Sequence, residues 1–84
     1  MEKRIGVIGI VIEDMAQTPK VNETLSAYVG MITGRMGIPD HDAKVGVISL
    51  IVKGTTDEIG GLTGRLGQLP GVLVKSALTS KTAK

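Results

Sequence analysis

The chain has 84 residues, enough for one domain, and a chain of this size buries only about 60–70% of the surface it exposes when unfolded. It holds no Trp, no Phe, no Cys, a single Tyr (Tyr28) and 12 glycines, which excludes a large aromatic core, a disulfide framework and a thiolate metal site as sources of stability. The net charge of +2 forms neither a basic stripe nor a reading helix, so specific DNA binding by this chain is not expected.

Residues 4–12, Arg-Ile-Gly-Val-Ile-Gly-Ile-Val-Ile, are rich in β-branched side chains, carry no helical period and predict a first strand. Ile5, Val7, Gly9 and Val11 fall on one side; Gly6, Ile8, Ile10 and Ile12 fall on the other. Both faces are apolar, which places the strand at the centre of a covered sheet. Met1-Glu2-Lys3-Arg4 before this run imitates a signal peptide. The run breaks at Glu13-Asp14 without a small-residue cleavage pattern, and it is far shorter than the ~20 residues that span a bilayer. The expectation is a cytoplasmic protein with no membrane segment.

Residues 13–17 connect to a helix predicted over 19–30. Thr18 stands as its N-cap and Pro19 at its first position, where the missing N–H does no harm. Val21, Leu25, Tyr28, Val29 and Ile32 follow the spacing of one helical face, and Gly30 marks the end. Residues 32–38 predict a second strand, with Ile32, Gly34, Met36 and Ile38 on one face and Thr33, Arg35 and Gly37 on the other. Pro39-Asp40-His41-Asp42 is a turn by composition. Residues 44–53 predict the third strand, again apolar on both faces: Val45, Val47, Ser49 and Ile51 against Gly46, Ile48, Leu50 and Val52.

Thr55-Thr56-Asp57-Glu58 reads as a capping box opening the second helix. Its apolar positions are Ile59, Leu62 and Leu66, and Gly67 is its expected C′ residue. Gly60, Gly61 and Gly64 inside it each cost roughly 1 kcal/mol relative to Ala, so tertiary context must hold it; Gly60 and Gly64 fit a close packing contact. Leu69-Pro70-Gly71 turns the chain into a last strand over 72–78. The domain is read as 1–78, with 79–84 a flexible polar tail.

The order β-α-β-β-α-β predicts an α+β ferredoxin-like sandwich with an antiparallel sheet of order 4-1-3-2 and both helices on one face. That order puts strands one and three at the centre, the same two that read as apolar on both sides. The helix-free face would be a bare apolar patch on a monomer. A second copy of the chain is therefore expected to cover it, in a dimer or tetramer.

Chemistry-bearing residues are sparse. Arg35 sits on an edge strand with Gly34 before it and Gly37 shortly after, where a backbone or ligand can come close and a guanidinium can grip an anion in two-pronged fashion. If Met36 and Ile38 join Ile32 under the helices, Arg35 faces the partner-covered side. Glu13 and Asp14 are then the acids expected to meet it, and the expected ligand is a small anionic effector at Arg35, Gly34, Gly37, Glu13 and Asp14. The plainer reading is an exposed strand arginine or one paired across a subunit contact. Asp40-His41-Asp42 is too small a set for a metal site and reads as a solvated turn. Gly54-Thr55-Thr56 opens a helix, but Asp57 and Glu58 already occupy its positive end. With one His, no Cys and no nucleophile–base pair, neither catalysis nor a cofactor is expected.

The block Gly34-Arg35-Met36-Gly37-Ile38-Pro39, with Ile8 to Asp14, Val21-Asn22-Glu23 and Leu66-Gly67-Gln68-Leu69-Pro70-Gly71-Val72, resembles the small proteins known as regulators of the iron-only hydrogenase system. The resemblance covers nearly the whole chain. It implies a ferredoxin-like domain related to ACT-type and nickel-responsive repressor domains, an oligomer, and a link to iron-only hydrogenase expression or maturation. It supplies no ligand and no catalytic residue. The nickel repressors bind metal through paired histidines on strand two and a cysteine near strand three; here those stretches read Arg35-Met36-Gly37-Ile38 and Ala43-Lys44, so no metal is expected. The chain also opens directly on strand one, without their DNA-binding segment. Two readings follow: a non-enzymatic ligand-sensing regulatory module, or a protein-interaction and assembly module without a small ligand.

Overall fold

Ile8, Ile10 and Ile12 alternate along β1 (Arg4–Ile12), and each is no more than 1% exposed. In a computed structural model that describes residues 2–81, this strand pairs antiparallel with β3 (Val45–Gly54) on one side and β4 (Val72–Leu78) on the other. The strand β2 (Ile32–Asp40) pairs with β3 at the far edge. The resulting order, β2-β3-β1-β4, is the expected 4-1-3-2 sheet, and the fold is the expected α+β ferredoxin-like one. Two helices, α1 (Thr18–Ala27) and α2 (Thr56–Gly67), cover the face that carries Ile8, Ile10, Ile12, Ile48, Leu50, Val52 and Val72. They contribute Val21, Leu25, Ile59, Leu62 and Leu66 to one aliphatic core, with Met31 alongside. Each such side chain stabilises by roughly 1.5–3 kcal/mol on burial.

The helix ends obey local chemistry. Thr55 caps α2 by accepting from the Glu58 N–H at 3.1 Å, and the Glu58 carboxylate accepts from the Thr55 N–H at 2.9 Å, a complete capping box. These hydrogen bonds, from the Thr55 backbone first, hold the Glu58 carboxyl below its ordinary pKa. Gly67 is the last helical residue; the left-handed residue of this region is Gly71, at φ 72°. The Gly71 carbonyl accepts from the N–H groups of Glu13 (2.7 Å) and Asp14 (3.3 Å). A Cβ at Gly71 would lie 2.7 Å from the Asp14 Cβ, so glycine is required there for space as well as for φ.

α1 departs from the expected 19–30. It begins at Thr18, whose hydroxyl makes no capping bond, and single 3-10 turns flank it at Met15–Gln17 and Val29–Met31. The preceding turn is capped by Asp14, which accepts from the Ala16 N–H at 3.1 Å. Because the chain leaves the helix at Tyr28, Val29 is exposed and Met31 takes the buried place. β2 runs on through Pro39 to Asp40, whose carboxylate accepts from the Ala43 N–H and so closes the following turn. At the other end, Thr79 donates its N–H to the Ile5 carbonyl at 2.9 Å, and the Arg4 guanidinium reaches the Ser80 carbonyl. Of the tail expected over 79–84, residues 82–84 lie outside the described residues.

The consequential departure is in β2. Ile32 pairs with Val52, but Gly34 pairs with Ile51. Thr33 is therefore an extra residue, and its hydroxyl donates to the Ile51 carbonyl at 3.1 Å. Such a bulge exchanges the two faces of a strand from that point on. Ile32 lies on the helix side, whereas Met36 and Ile38, paired with Ser49 and Val47, lie on the helix-free side. They are 66% and 61% exposed. The expectation that they pack with Ile32 under the helices is corrected on this ground.

Two stability measurements check this account. Leu50→Ala, at a fully buried central position, is expected to lose about 2–5 kcal/mol in denaturant unfolding. For Glu58, a folded-state pKa below the unfolded one means that its contribution is full above the ordinary carboxylate range. That contribution falls away as pH drops through the lowered value. Glu58→Gln should remove this part of the pH dependence while leaving the fold intact.

Candidate functional site

The bulge that sends Met36 and Ile38 to the open face sends Arg35 to the helix side, opposite Leu50. There α1 passes above the edge strand, and Arg35 Nη2 donates to Asn22 Oδ1 at 2.7 Å. A bond from a charged donor at this length is among the stronger hydrogen bonds. Asn22 is neutral, and among the described residues no carboxylate pairs with this guanidinium. Arg35 is exposed, so its charge is hydrated rather than buried. The argument for a buried, partner-covered cation does not apply; what the structure provides is a cation held in a fixed place.

That place is the rim of an open cleft of about 160 Å³. Ile12, Met15, Pro39 and Ile48 make its apolar walls, the backbone at Gly37, Ile38, Gly46 and Val47 makes its floor, and Asn22 and Arg35 supply the polar groups, with Thr18 beside them. The Thr18 hydroxyl oxygen is solvent-inaccessible and has no hydrogen-bond partner, which is costly unless something fills the need. Two glycines open the floor. Gly37 pairs with Ile48 and Gly46 pairs with Pro39. A Cβ at Gly46 would stand 3.6 Å from the Met15 sulfur, and one at Gly37 would stand 3.6 Å from Ile48 Cγ1. Both additions would meet ordinary contacts, so these glycines are not demanded by packing.

The other expected site residues separate. Gly34 lies against Ile51 and borders a second, larger hollow on the far side of Arg35, with Leu25, Ser26 and Thr33. Glu13 and Asp14 line a third hollow with Asp40, His41 and Lys44; Met15 and Pro39 stand between it and the Arg35 cleft. Within one subunit, then, Glu13 and Asp14 do not join Arg35, and Asp14 is engaged in capping. Among the described residues no group of three or more His, Cys, Asp or Glu could hold a metal ion. Gly60 and Gly64 meet nothing within 4 Å, whereas Gly61 seats the Tyr28 hydroxyl. The sequence marked Thr18 only as a helix cap and Asn22 only within the family-like block, and Met15 by no motif; they belong to the site because the helix crosses the strand at that point.

A family model described as "Iron-only hydrogenase system regulator, putative", the TM1266-like family, matches residues 4–76. The chain belongs to the TM1266-like family. The uncharacterized protein TM1266 from Thermotoga maritima is 36% identical and superposes with a TM-score of 0.88, over 92% of this chain and 98% of that one. At lower identity the fold alone is shared. The ACT domain of GTP pyrophosphokinase from Chlorobium tepidum is 20% identical with a TM-score of 0.68, over 94% of this chain and 89% of that one. CPII, a nitrogen regulatory PII-like protein from Thiomonas intermedia K12 bound to ADP, AMP and bicarbonate, is 12% identical with a TM-score of 0.54, over 95% of this chain and 100% of that one. No curated protein matches the sequence. Among the described residues of this TM1266-like chain, no helix is long and apolar enough to cross a membrane.

A structural role for the Arg35–Asn22 bond is testable. Both side chains are exposed, so Arg35→Ala and Asn22→Ala should each change unfolding free energy by no more than about 0.5 kcal/mol. A loss above about 2 kcal/mol would make the pair a strut rather than a site.

Proposed function

We propose that this TM1266-like protein is a non-enzymatic regulatory module of the iron-only hydrogenase system that senses a small anionic effector at Arg35 and works as a homo-oligomer. The observation that carries the sensing role is the Arg35 guanidinium, tethered by a neutral amide at the mouth of an apolar-walled cleft. A positioned cation without a carboxylate partner is what an anion site needs. Regulatory proteins of the same fold, the ACT domain and the bicarbonate-bound PII-like protein, support the reading. The residues give no nucleophile–base pair with which to do chemistry.

The oligomer is argued from the helix-free sheet face. Its rungs are Ile38–Val47–Val11–Leu73, Met36–Ser49–Gly9–Lys75 and Gly34–Ile51–Val7–Ala77, with Ile5 beyond them. Strand spacing and rise give it a plan of roughly 20 by 26 Å. That is about 500 Å² before side-chain relief, within reach of the ~800 Å² per partner of a stable interface. Its charged members, Lys53 and Lys75, lie at a strand end and on an edge strand, where a second copy laid on the face leaves them at the rim. Ile38 and Val47 put their side chains on this face, and their backbone lies in the floor of the cleft between Gly37 and Gly46. A ligand in the cleft therefore rests against the backbone of residues whose side chains a second copy would cover. By linkage, whatever assembly does to ligand affinity, ligand does to assembly.

The same apolar face favours a second reading, an assembly module with no small ligand, and two measurements separate them. Sedimentation at micromolar concentration should give at least a dimer of the 8.7 kDa chain. Val47→Lys should yield a folded monomer, and a monomeric parent protein would remove the oligomer from the proposal. In thermal unfolding, acetate or bicarbonate at millimolar concentration should raise the Tm, and Arg35→Gln should abolish the rise. An oligomer with no Arg35-dependent response would leave the assembly reading standing alone.

A further inference from the structure

We infer that the effector is a short apolar monocarboxylate, of about six to eight non-hydrogen atoms and without an α-ammonium group. This inference rests on the Arg35 cleft being the effector site. Three features of that cleft define the ligand. The first is size: 160 Å³ is well below the ~300–1,000 Å³ of sites for drug-sized ligands. It is close to the ~150 Å³ apolar cavity that accommodates a benzene. A nucleotide could not be enclosed by it.

The second feature is the distribution of polarity. The walls formed by Ile12, Met15, Pro39 and Ile48 are aliphatic or thioether, and the polar side chains Arg35 and Asn22 stand together at one side. One nitrogen of the guanidinium donates to Asn22, which turns the fork toward α1; among the described residues the remaining N–H groups make no hydrogen bond and can meet a planar two-oxygen anion. Such a site takes a carboxylate head with an apolar tail. A bare inorganic anion would use the head and leave the walls unfilled.

The third feature is what the lining lacks. None of the residues around the cleft is Asp or Glu; Glu13, Asp14 and Asp40 line the separate hollow beyond Met15 and Pro39. An α-ammonium is two bonds from its carboxylate carbon. It would be held close to the Arg35 cation with no acid in the lining to offset their repulsion, so the amino acid of the same shape is disfavoured.

The test uses the whole 84-residue chain and four probes in calorimetric titration: isovalerate, L-valine, isoamyl alcohol and sulfate. Isovalerate should bind, and valine and the alcohol should bind at least about tenfold more weakly. Gly37→Val, whose Cβ would meet only ordinary contacts in the fold and whose methyl groups would enter the cleft, should abolish isovalerate binding, as should Arg35→Gln. Valine binding as tightly as isovalerate would overturn the ligand class while leaving Arg35 as the sensor. Sulfate binding equally well, and surviving in Gly37→Val, would reduce the site to a simple anion clamp and likewise overturn the inference alone. If no probe shows binding that depends on Arg35, the effector reading falls with it.

Discussion

In an antiparallel pair, residues directly opposite each other share a face, so the insertion of Thr33 between the pairs Ile32–Val52 and Gly34–Ile51 reverses β2 for the rest of its length. Without it, Met36 and Ile38 would lie beneath α1 and Arg35 would stand on the open sheet. With it, the cation is delivered to Asn22 on α1 and two large apolar side chains are added to the helix-free face. One extra residue thus builds the polar corner of the cleft and extends the apolar surface at the same time.

The rest of the molecule makes that arrangement affordable. The core is aliphatic throughout, drawn from alternate positions of β1 and β3 and from one face of each helix. It closes over β3, β1 and β4 but leaves β2 exposed along nearly its whole length. Close backbone approach is concentrated elsewhere: Gly6 lies so near β4 that a Cβ would fall 2.5 Å from the Ala77 carbonyl oxygen, and Gly71 ties the loop after β1 to the turn before β4. These fix the body of the sheet. Beyond the bulge, β2 is held by its ladder to β3 and by one side-chain tether to α1, which makes it the part whose position a ligand or a second copy can most readily bias.

Cleft and sheet face are not independent surfaces. Ile38 and Val47 belong to both, by side chain to the sheet face and by backbone to the cleft floor, which the glycines Gly37 and Gly46 leave bare. A regulatory device built this way needs no hinge: a ligand in the cleft presses on the backbone of two residues whose side chains an interface would cover, and the coupling passes through one layer of sheet.

Much of this was legible in the residues. The β-branched runs with apolar residues on both faces placed β1 and β3 at the centre, because only a strand flanked on both sides can hide two apolar faces. The Thr55–Glu58 spacing announced the start of α2, because a capping box is a local interaction complete within four residues. The glycines around Arg35 marked a place where something could come close. What the sequence could not state was which way Arg35 pointed. Alternation is a strict count of two, and an unpaired residue shifts the count without altering the composition; Thr33 is an ordinary strand residue until its partner strand is in place. The same holds for Asn22, Thr18 and Met15, which lie 13 or more residues before Arg35 and meet the cleft only where α1 crosses the sheet edge. Local patterns set the elements and the core because they are written in neighbouring residues; the register of β2 and the membership of the cleft were decided by pairing across the fold.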